Sequence, residues 1–275
     1  MKKAELSALM DSLGIAPSRK LGQNFLIDDN FLDSIIRIAD IRPEDKIIEV
    51  GPGFGALTER LLKTGASVAA IEFDRKLAAW LRLTYANRGL CLIEGDACRI
   101  DVAGIYGKDT PFRLISNLPY SAGTVIVANM LALKTPPSEM FIMLQKEVGM
   151  RFAAKEDTDD YGALTVRIQA MYQVELVKMA PPQMFYPRPE VDSCILRLTL
   201  RKDALSREHF QNLTRLVRAS FAHRRKKMLK QAAAMFDMAQ VRCAMASLGI
   251  DPDIRAEKVT VKQFIRMAEI LGGEK

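Results

Sequence analysis

With 275 residues, 49% of them hydrophobic and 27% charged, the chain can bury an α/β core of about 200 residues and still carry a smaller second domain. This composition excludes disordered and fibrous classes, and apolar runs such as 125–133 and 140–144 fall far short of the ~18 residues of a membrane span. The net charge of +7 is unevenly placed: residues 201–230 hold ten Lys/Arg against two acids, the asymmetry that docking on a phosphate backbone needs.

Residues 1–16 carry no signal-peptide core, and no membrane association and a cytoplasmic address are expected. From Lys46 to Leu200, short β-rich runs alternate with amphipathic helical stretches. Strands are predicted at 46–50, 67–72, 90–94, 112–116, 139–145, 174–180 and 193–200, with helices near 55–64, 74–86, 122–133, 146–154 and 162–170. The layout is that of a doubly wound α/β fold. The first strand runs straight into Gly51-Pro52-Gly53-Phe54-Gly55, where glycines permit positive φ at the carboxyl edge on which ligands bind. Glu72 ends the second strand 21 residues beyond Gly51, a distance that suits an acid binding both ribose hydroxyls of an adenine nucleoside. Asp96 follows the third strand, placed to accept from an adenine amino group. Taken alone, the glycine loop also fits a tight turn and Asp96 a helix cap.

The loop lacks the later glycine that brings a helix against a pyrophosphate, and no nicotinamide pocket is apparent. The carboxylates Glu49, Glu72 and Asp96 suit the sulfonium of S-adenosylmethionine better than a dinucleotide. The fourth strand opens into Asn117-Leu118-Pro119-Tyr120. An exocyclic base amine is a poor nucleophile because its lone pair is delocalised into the ring. Asn117 Oδ1 and the Leu118 carbonyl are predicted to accept its hydrogens, Pro119 to aim that carbonyl, and Tyr120 to stack on the base. Phe185, beside Tyr186 in a proline-rich segment, offers a second aromatic platform or merely caps the sheet.

After Leu200 the β-rich runs stop and apolar residues recur at helical spacing: Phe210, Leu213, Leu216, Val217 and Phe221, then the series Met228, Met235, Met238, Met245. A last helix is predicted from Thr260 through Val261–Leu271, stopped by Gly272. The division is therefore 1–200, a Rossmann-like methyltransferase domain, and 201–275, a basic helical RNA-binding domain. Its candidate RNA contacts are Arg224, Arg225, Lys226 and Lys227, for which a solvated helix face is an equal alternative. Cysteines at 91, 98, 194 and 243 form no Cys-x-x-Cys pair and histidines stand only at 209 and 223, so no metal site is expected.

Together these motifs resemble the ribosomal RNA adenine N6,N6-dimethyltransferase family over nearly the whole chain, and within it the bacterial small-subunit enzymes. The resemblance rests on Leu21–Leu26, Glu49–Gly55 with Leu57-Thr58, Glu72, Gly95-Asp96, Asn117–Tyr120, Gln145–Val148, Phe185-x-Pro187-x-Pro189-x-Val191-x-Ser193 and Phe221-x-x-Arg224-Arg225-Lys226. It implies that Asn24 and Leu26, from an N-terminal segment that covers the cofactor, join Gly51, Glu72, Asp96 and Asn117 around S-adenosylmethionine. It also implies two successive methylations on each of two adjacent adenosines, in a hairpin loop near the 3′ end of 16S rRNA, within pre-30S particles. A monomer is expected. Ser121-Ala122-Gly123-Thr124 departs from the family's usual sequence after the tetrapeptide. The rival readings are a large-subunit adenine methyltransferase of the antibiotic-resistance type, an RNA-binding assembly or transcription factor with secondary methylation, and an NAD-dependent enzyme.

Overall fold

The computed structural model describes residues 3–18, 20–223 and 226–273. Two helices precede the sheet, α1 (Lys3–Leu13) and α2 (Asp29–Ala39), with a two-residue strand, β1 (Phe25–Leu26), between them. The alternation follows: β2 (Lys46–Val50), α3 (Ala56–Lys63), β3 (Ser67–Glu72), α4 (Arg75–Thr84), β4 (Cys91–Glu94), β5 (Arg113–Asn117), α5 (Gly123–Leu131), β6 (Glu139–Gln145), α6 (Lys146–Phe152), α7 (Ala163–Met171) and β7 (Tyr172–Ala180). Then come β8 (Phe185–Tyr186), β9 (Ser193–Leu200), α8 (Arg207–Ser220), α9 (Met228–Ala232), α10 (Met238–Ser247) and α11 (Val261–Gly272).

Seven strands form one sheet in the order β4-β3-β2-β5-β6-β9-β7, with β2 paired in parallel to both β3 and β5, β3 to β4, and β5 to β6. After their first residues β2 and β3 are buried without interruption, as strands covered on both faces must be, which is why they are apolar apart from the acids Glu49 and Glu72 at their carboxyl ends. The chain steps outward from β2 to β3 and β4 and then returns to the other side of β2 as β5. That reversal opens a crevice beyond the carboxyl ends of β2 and β5, where doubly wound sheets bind ligands.

Helix starts follow their caps. Asp28 accepts from Phe31 N at 2.7 Å to begin α2, and Asp74 accepts from Lys76 N at 2.9 Å to begin α4. Thr260 and Gln263 form a capping box at α11. Gly272 lies inside the last turn of α11 and Gly273 caps it, one residue beyond the expected stop.

At the far end of the central strands, Arg113 donates to the Asp45 carboxylate, to Glu139 Oε1 at 2.6 Å and to the carbonyls of Ala39 and Asp40. One guanidinium thus ties the α2–β2 connection to β5 and β6. Arg113→Met leaves two mostly buried carboxylates without that partner and is expected to cost about 1–3 kcal/mol. A urea midpoint that falls with an unchanged slope would register it.

Packing divides the chain into two compact units: Met1–Met130 with Lys134–Gly149 and Leu176–Leu198, and Leu131–Leu133 with Met150–Glu175 and Thr199–Lys275. A single cut at residue 200 is thereby corrected. Tyr161, Val166 and Ala170 share a core with Leu213, Val217, Met245 and Phe264, so 150–175 belongs with the C-terminal helices. The methionine series is corrected too: Met228 and Met245 are buried, while Met235 and Met238 are exposed around the break at Asp237, which caps α10.

Candidate active site

A cavity of about 290 Å³ lies within the first unit, lined by Leu21–Ile27, Glu49–Phe54, Ile71–Phe73, Gly95–Cys98 and Asn117–Ala122. Its floor is the end of β2. Ser116 Oγ donates to the Val50 carbonyl at 2.6 Å and joins the carboxyl ends of β2 and β5. Gly51 and Gly53 then take φ of 70° and 59°, the left-handed region that costs other residues about 1–2 kcal/mol. A Cβ on Gly51 would stand 3.4 Å from Pro119, and one on Gly53 only 2.8 Å from the Phe25 ring. The glycine loop is therefore packed between the tetrapeptide and the N-terminal segment.

Glu72 sits at the end of β3, 5% exposed. Its Oε2 accepts from Gly53 N at 3.1 Å and its Oε1 from Asp74 N at 2.8 Å. Each oxygen thus keeps acceptor capacity for a ligand hydroxyl. Glu49, 2% exposed, accepts from Thr58 Oγ1 at 2.6 Å. Burial pushes Glu72 up to about 7 against its backbone bonds, and Glu49 up to about 8, opposed by Thr58 and reinforced by the charge of Glu72. Both values lie above the ordinary 4.5, so the contribution of these two groups to the stability of the ligand-free fold is full below that pH and is lost as pH rises through 7 and 8. A bound cation favours the ionised forms. Affinity for a sulfonium ligand is accordingly expected to rise from pH 6 to 8 with proton release. Calorimetry in buffers of different ionisation enthalpy tests this, and a flat affinity with no released proton would contradict it.

Asp96 borders the cavity and also caps the turn after β4, its Oδ1 accepting from Cys98 N at 2.9 Å. The turn role and the lining role coexist.

Asn117 ends β5 and donates from Nδ2 to the Asn24 carbonyl at 3.3 Å. Only the amide nitrogen can make that bond, which assigns the other position to Oδ1. Oδ1 is buried with no hydrogen-bond partner among the described residues, an unmet acceptor beside the cavity. Leu118 is held by its N–H on the Met143 carbonyl at 3.1 Å. The Pro119 carbonyl accepts from Ala122 N and Gly123 N, closing the turn that presents Tyr120. The Tyr120 hydroxyl is hydrogen-bonded to Ser193 Oγ, which fixes the ring, and burial raises its pKa.

Of the expected residues, the structure brings Asn24, Leu26, Gly51, Glu72, Asp96, Asn117, Leu118, Pro119 and Tyr120 to one cavity. Phe185 is a correction. It is 3% exposed, pairs across β1/β8 with Leu26 and belongs to the core, so its ring is packed too deeply to serve as a platform for a base. Arg224 and Arg225 lie outside the described residues. Lys226 and Lys227 are exposed, and Lys227 pairs with Asp253 at 2.7 Å.

Sequence reasoning missed the route by which the N-terminal segment arrives. The β1/β8 pairing sets Phe25 against Phe54 at 4.9 Å, edge to face, and Phe54 against Trp80 at 5.5 Å. The close fit at Gly22, where a Cβ would stand 2.8 Å from Ser121 N, is the residue-level signal that this segment lies on the tetrapeptide.

The cavity's lining contains three acids, Glu49, Glu72 and Asp96, and no Lys, Arg or His among the described residues. Such a site repels a pyrophosphate and attracts a cation, so the residues fit a sulfonium nucleoside and do not fit a dinucleotide.

The profile of the family described as ribosomal RNA adenine dimethylase matches residues 17–272. The chain belongs to that family. Among its relatives, a protein of Moorella thermoacetica named ribosomal RNA small subunit methyltransferase A is 38% identical, with 96% of each chain covered. One of the same name from Hahella chejuensis is 38% identical, covering 94% of each. Among solved structures, the 23S rRNA methyltransferase ErmE superposes with a TM-score of 0.67 at 25% identity, covering 90% of this chain and 99% of the other. A dimethyladenosine transferase from Plasmodium falciparum superposes at 0.72 and 21% identity, over 88% of this chain and 95% of that one, and shows the fold alone. Membership in the dimethylase family accounts for the Asn117–Tyr120 loop and the acidic cavity standing side by side at one sheet edge.

Proposed function

We propose that this protein transfers methyl groups from S-adenosylmethionine to the N6 amino groups of adenosines in small-subunit rRNA, twice on each of two adjacent adenosines in a hairpin near the 3′ end. The observation that carries the reading is the unpartnered Asn117 Oδ1 at the junction of the tetrapeptide and an acidic, cation-seeking cavity. S-Adenosylmethionine, when bound, supplies an electrophilic methyl on a sulfonium. Glu72 holds the ribose hydroxyls, Asp96 the adenine, and the Gly51–Gly53 backbone lets the ligand approach β2. Asn117 Oδ1 and the Leu118 carbonyl accept the N–H bonds of the target amine, draw its lone pair out of conjugation and align it for attack, while Tyr120 stacks on the base. Rate acceleration comes from orientation and preorganised dipoles. Once the new N–CH3 bond has replaced the S–CH3 bond and a proton has left the nitrogen for solvent, the amine retains one N–H, so one acceptor suffices for the second transfer.

The small-subunit reading is favoured over a large-subunit one by identity: 38% to proteins named for the small subunit against 25% to ErmE. Action on pre-30S particles, as a monomer in the cytoplasm, completes the proposal. It agrees with the basic stretch 201–230 and with the absence, among the described residues, of any helix long and apolar enough to cross a membrane. Labelled methyl transfer to immature small subunits, mature subunits and naked rRNA, run in parallel, tests it. Incorporation is expected into immature subunits at two adjacent adenosines; transfer to large-subunit rRNA alone would overturn it.

A further inference from the structure

In the second unit, Arg167 of α7 is 8% exposed, yet no carboxylate or other hydrogen-bonding group among the described residues meets its guanidinium, and Nε is buried and unpartnered. The guanidinium lies over the Phe210 ring, with Cζ 5.6 Å from the centroid. Phe210 begins a line on α8 that continues one turn at a time through Thr214 and Arg218. Thr214 Oγ1 is likewise buried without a partner, and Arg218 is exposed with no ion pair among the described residues. Burial lowers the Arg167 pKa, and the like charge of Arg218 lowers it further.

Buried cations are ordinarily paired, because an unpaired one forfeits its hydration. An arginine cannot escape by losing its proton. Two guanidinium groups that repel each other beside an unused hydroxyl are complementary to an anion that takes several donors at once. A phosphate group has that chemistry and suits the planar arginine fork. We propose that Arg167, Thr214 and Arg218 form a phosphate subsite between α7 and α8, filled by a backbone phosphodiester of the RNA substrate. This rests on the RNA-directed function proposed above; free phosphate shares the chemistry and is separated by the test.

The full-length protein, wild type and Arg167→Met, is titrated with an in-vitro-transcribed 3′-terminal fragment of small-subunit rRNA over a range of salt. Its melting temperature is followed with inorganic phosphate against chloride at matched ionic strength. Arg167→Met is expected to weaken RNA binding about tenfold and to reduce the salt slope by roughly 0.7–0.9, one phosphate contact. Its melting temperature without ligand should stay level or rise, because an uncompensated buried charge has been replaced by an apolar chain of similar length. Arg218→Gln, exposed and outside the core, should weaken binding in the same direction without touching packing. A phosphate-induced rise in melting temperature seen in wild type and lost in Arg167→Met, with RNA affinity unchanged, would support the subsite and assign it to free phosphate. Unchanged RNA affinity and no phosphate response in either variant would overturn the subsite alone. Wild-type protein that fails to bind the rRNA fragment would instead overturn the functional reading and the phosphodiester as occupant.

Discussion

Replacing Asn117 by alanine is expected to lower the rate of methyl transfer by about 10²- to 10³-fold while cofactor and RNA are still bound, by analogy with removal of one preorganised polar group from other active sites. The expectation follows from the state of its amide. Nδ2 is used by the Asn24 carbonyl and Oδ1 has no partner among the described residues, so the acceptor is already desolvated before a base arrives. Its hydrogen bond to the reacting amine strengthens as nitrogen gains positive character, which places the loss in kcat rather than in ground-state binding. The Asn24 bond is also lost, so a several-fold change in cofactor affinity should accompany the slower rate. Single-turnover methyl transfer beside calorimetric titration separates the two. A variant that keeps its rate and loses only cofactor affinity would remove Asn117 from the chemistry.

Gly53→Ala is expected to destabilise the fold by about 2–5 kcal/mol, the sum of two independent penalties. One is the left-handed φ of 59°, which a Cβ disfavours. The other is a Cβ placed 2.8 Å from the Phe25 ring, which is held in turn against Phe54. If Phe25 yields, the segment carrying Asn24 and Leu26 moves with it, and cofactor affinity falls along with stability. Adding Phe25→Ala should recover the steric part of the Gly53→Ala loss and none of the backbone part, a non-additive pair in a double-mutant cycle. Urea unfolding of the four proteins supplies the numbers. Strict additivity would show that the ring does not limit this position.

Much of the sheet was legible in the sequence because β2, β3, β5 and β6 are mostly buried parallel runs. Predicted β2, β3, β6 and β9 agree with the structure to the residue, and β5 is shifted by one. Glu72 and Asn117 were legible for the same reason, since a strand's last residue marks the carboxyl edge. The β1/β8 pair was not, because two residues joined across 160 positions of chain leave no periodicity to read. Asn24 was signalled by family resemblance rather than chemistry, and the structure supplies the reason: its backbone carbonyl, which any residue carries, is what meets Asn117. The division at 200 followed the end of the β pattern, yet Tyr161 and Val166 pack with helices more than 40 residues later, a tertiary choice that local pattern cannot express. Phe185 illustrates the converse. Its aromatic, proline-flanked setting suits a stacking platform and a buried staple equally, and burial decides for the staple.

This acidic cavity and its Asn117 loop are expected to modify adenine in small-subunit rRNA. Mass-spectrometric mapping of dimethyladenosine in both ribosomal RNAs, from cells with and without the gene for this chain, reads that modification at its target. Loss of two adjacent dimethyladenosines near the 3′ end of small-subunit rRNA is the predicted result; an intact small-subunit pattern with loss from the large subunit would contradict it.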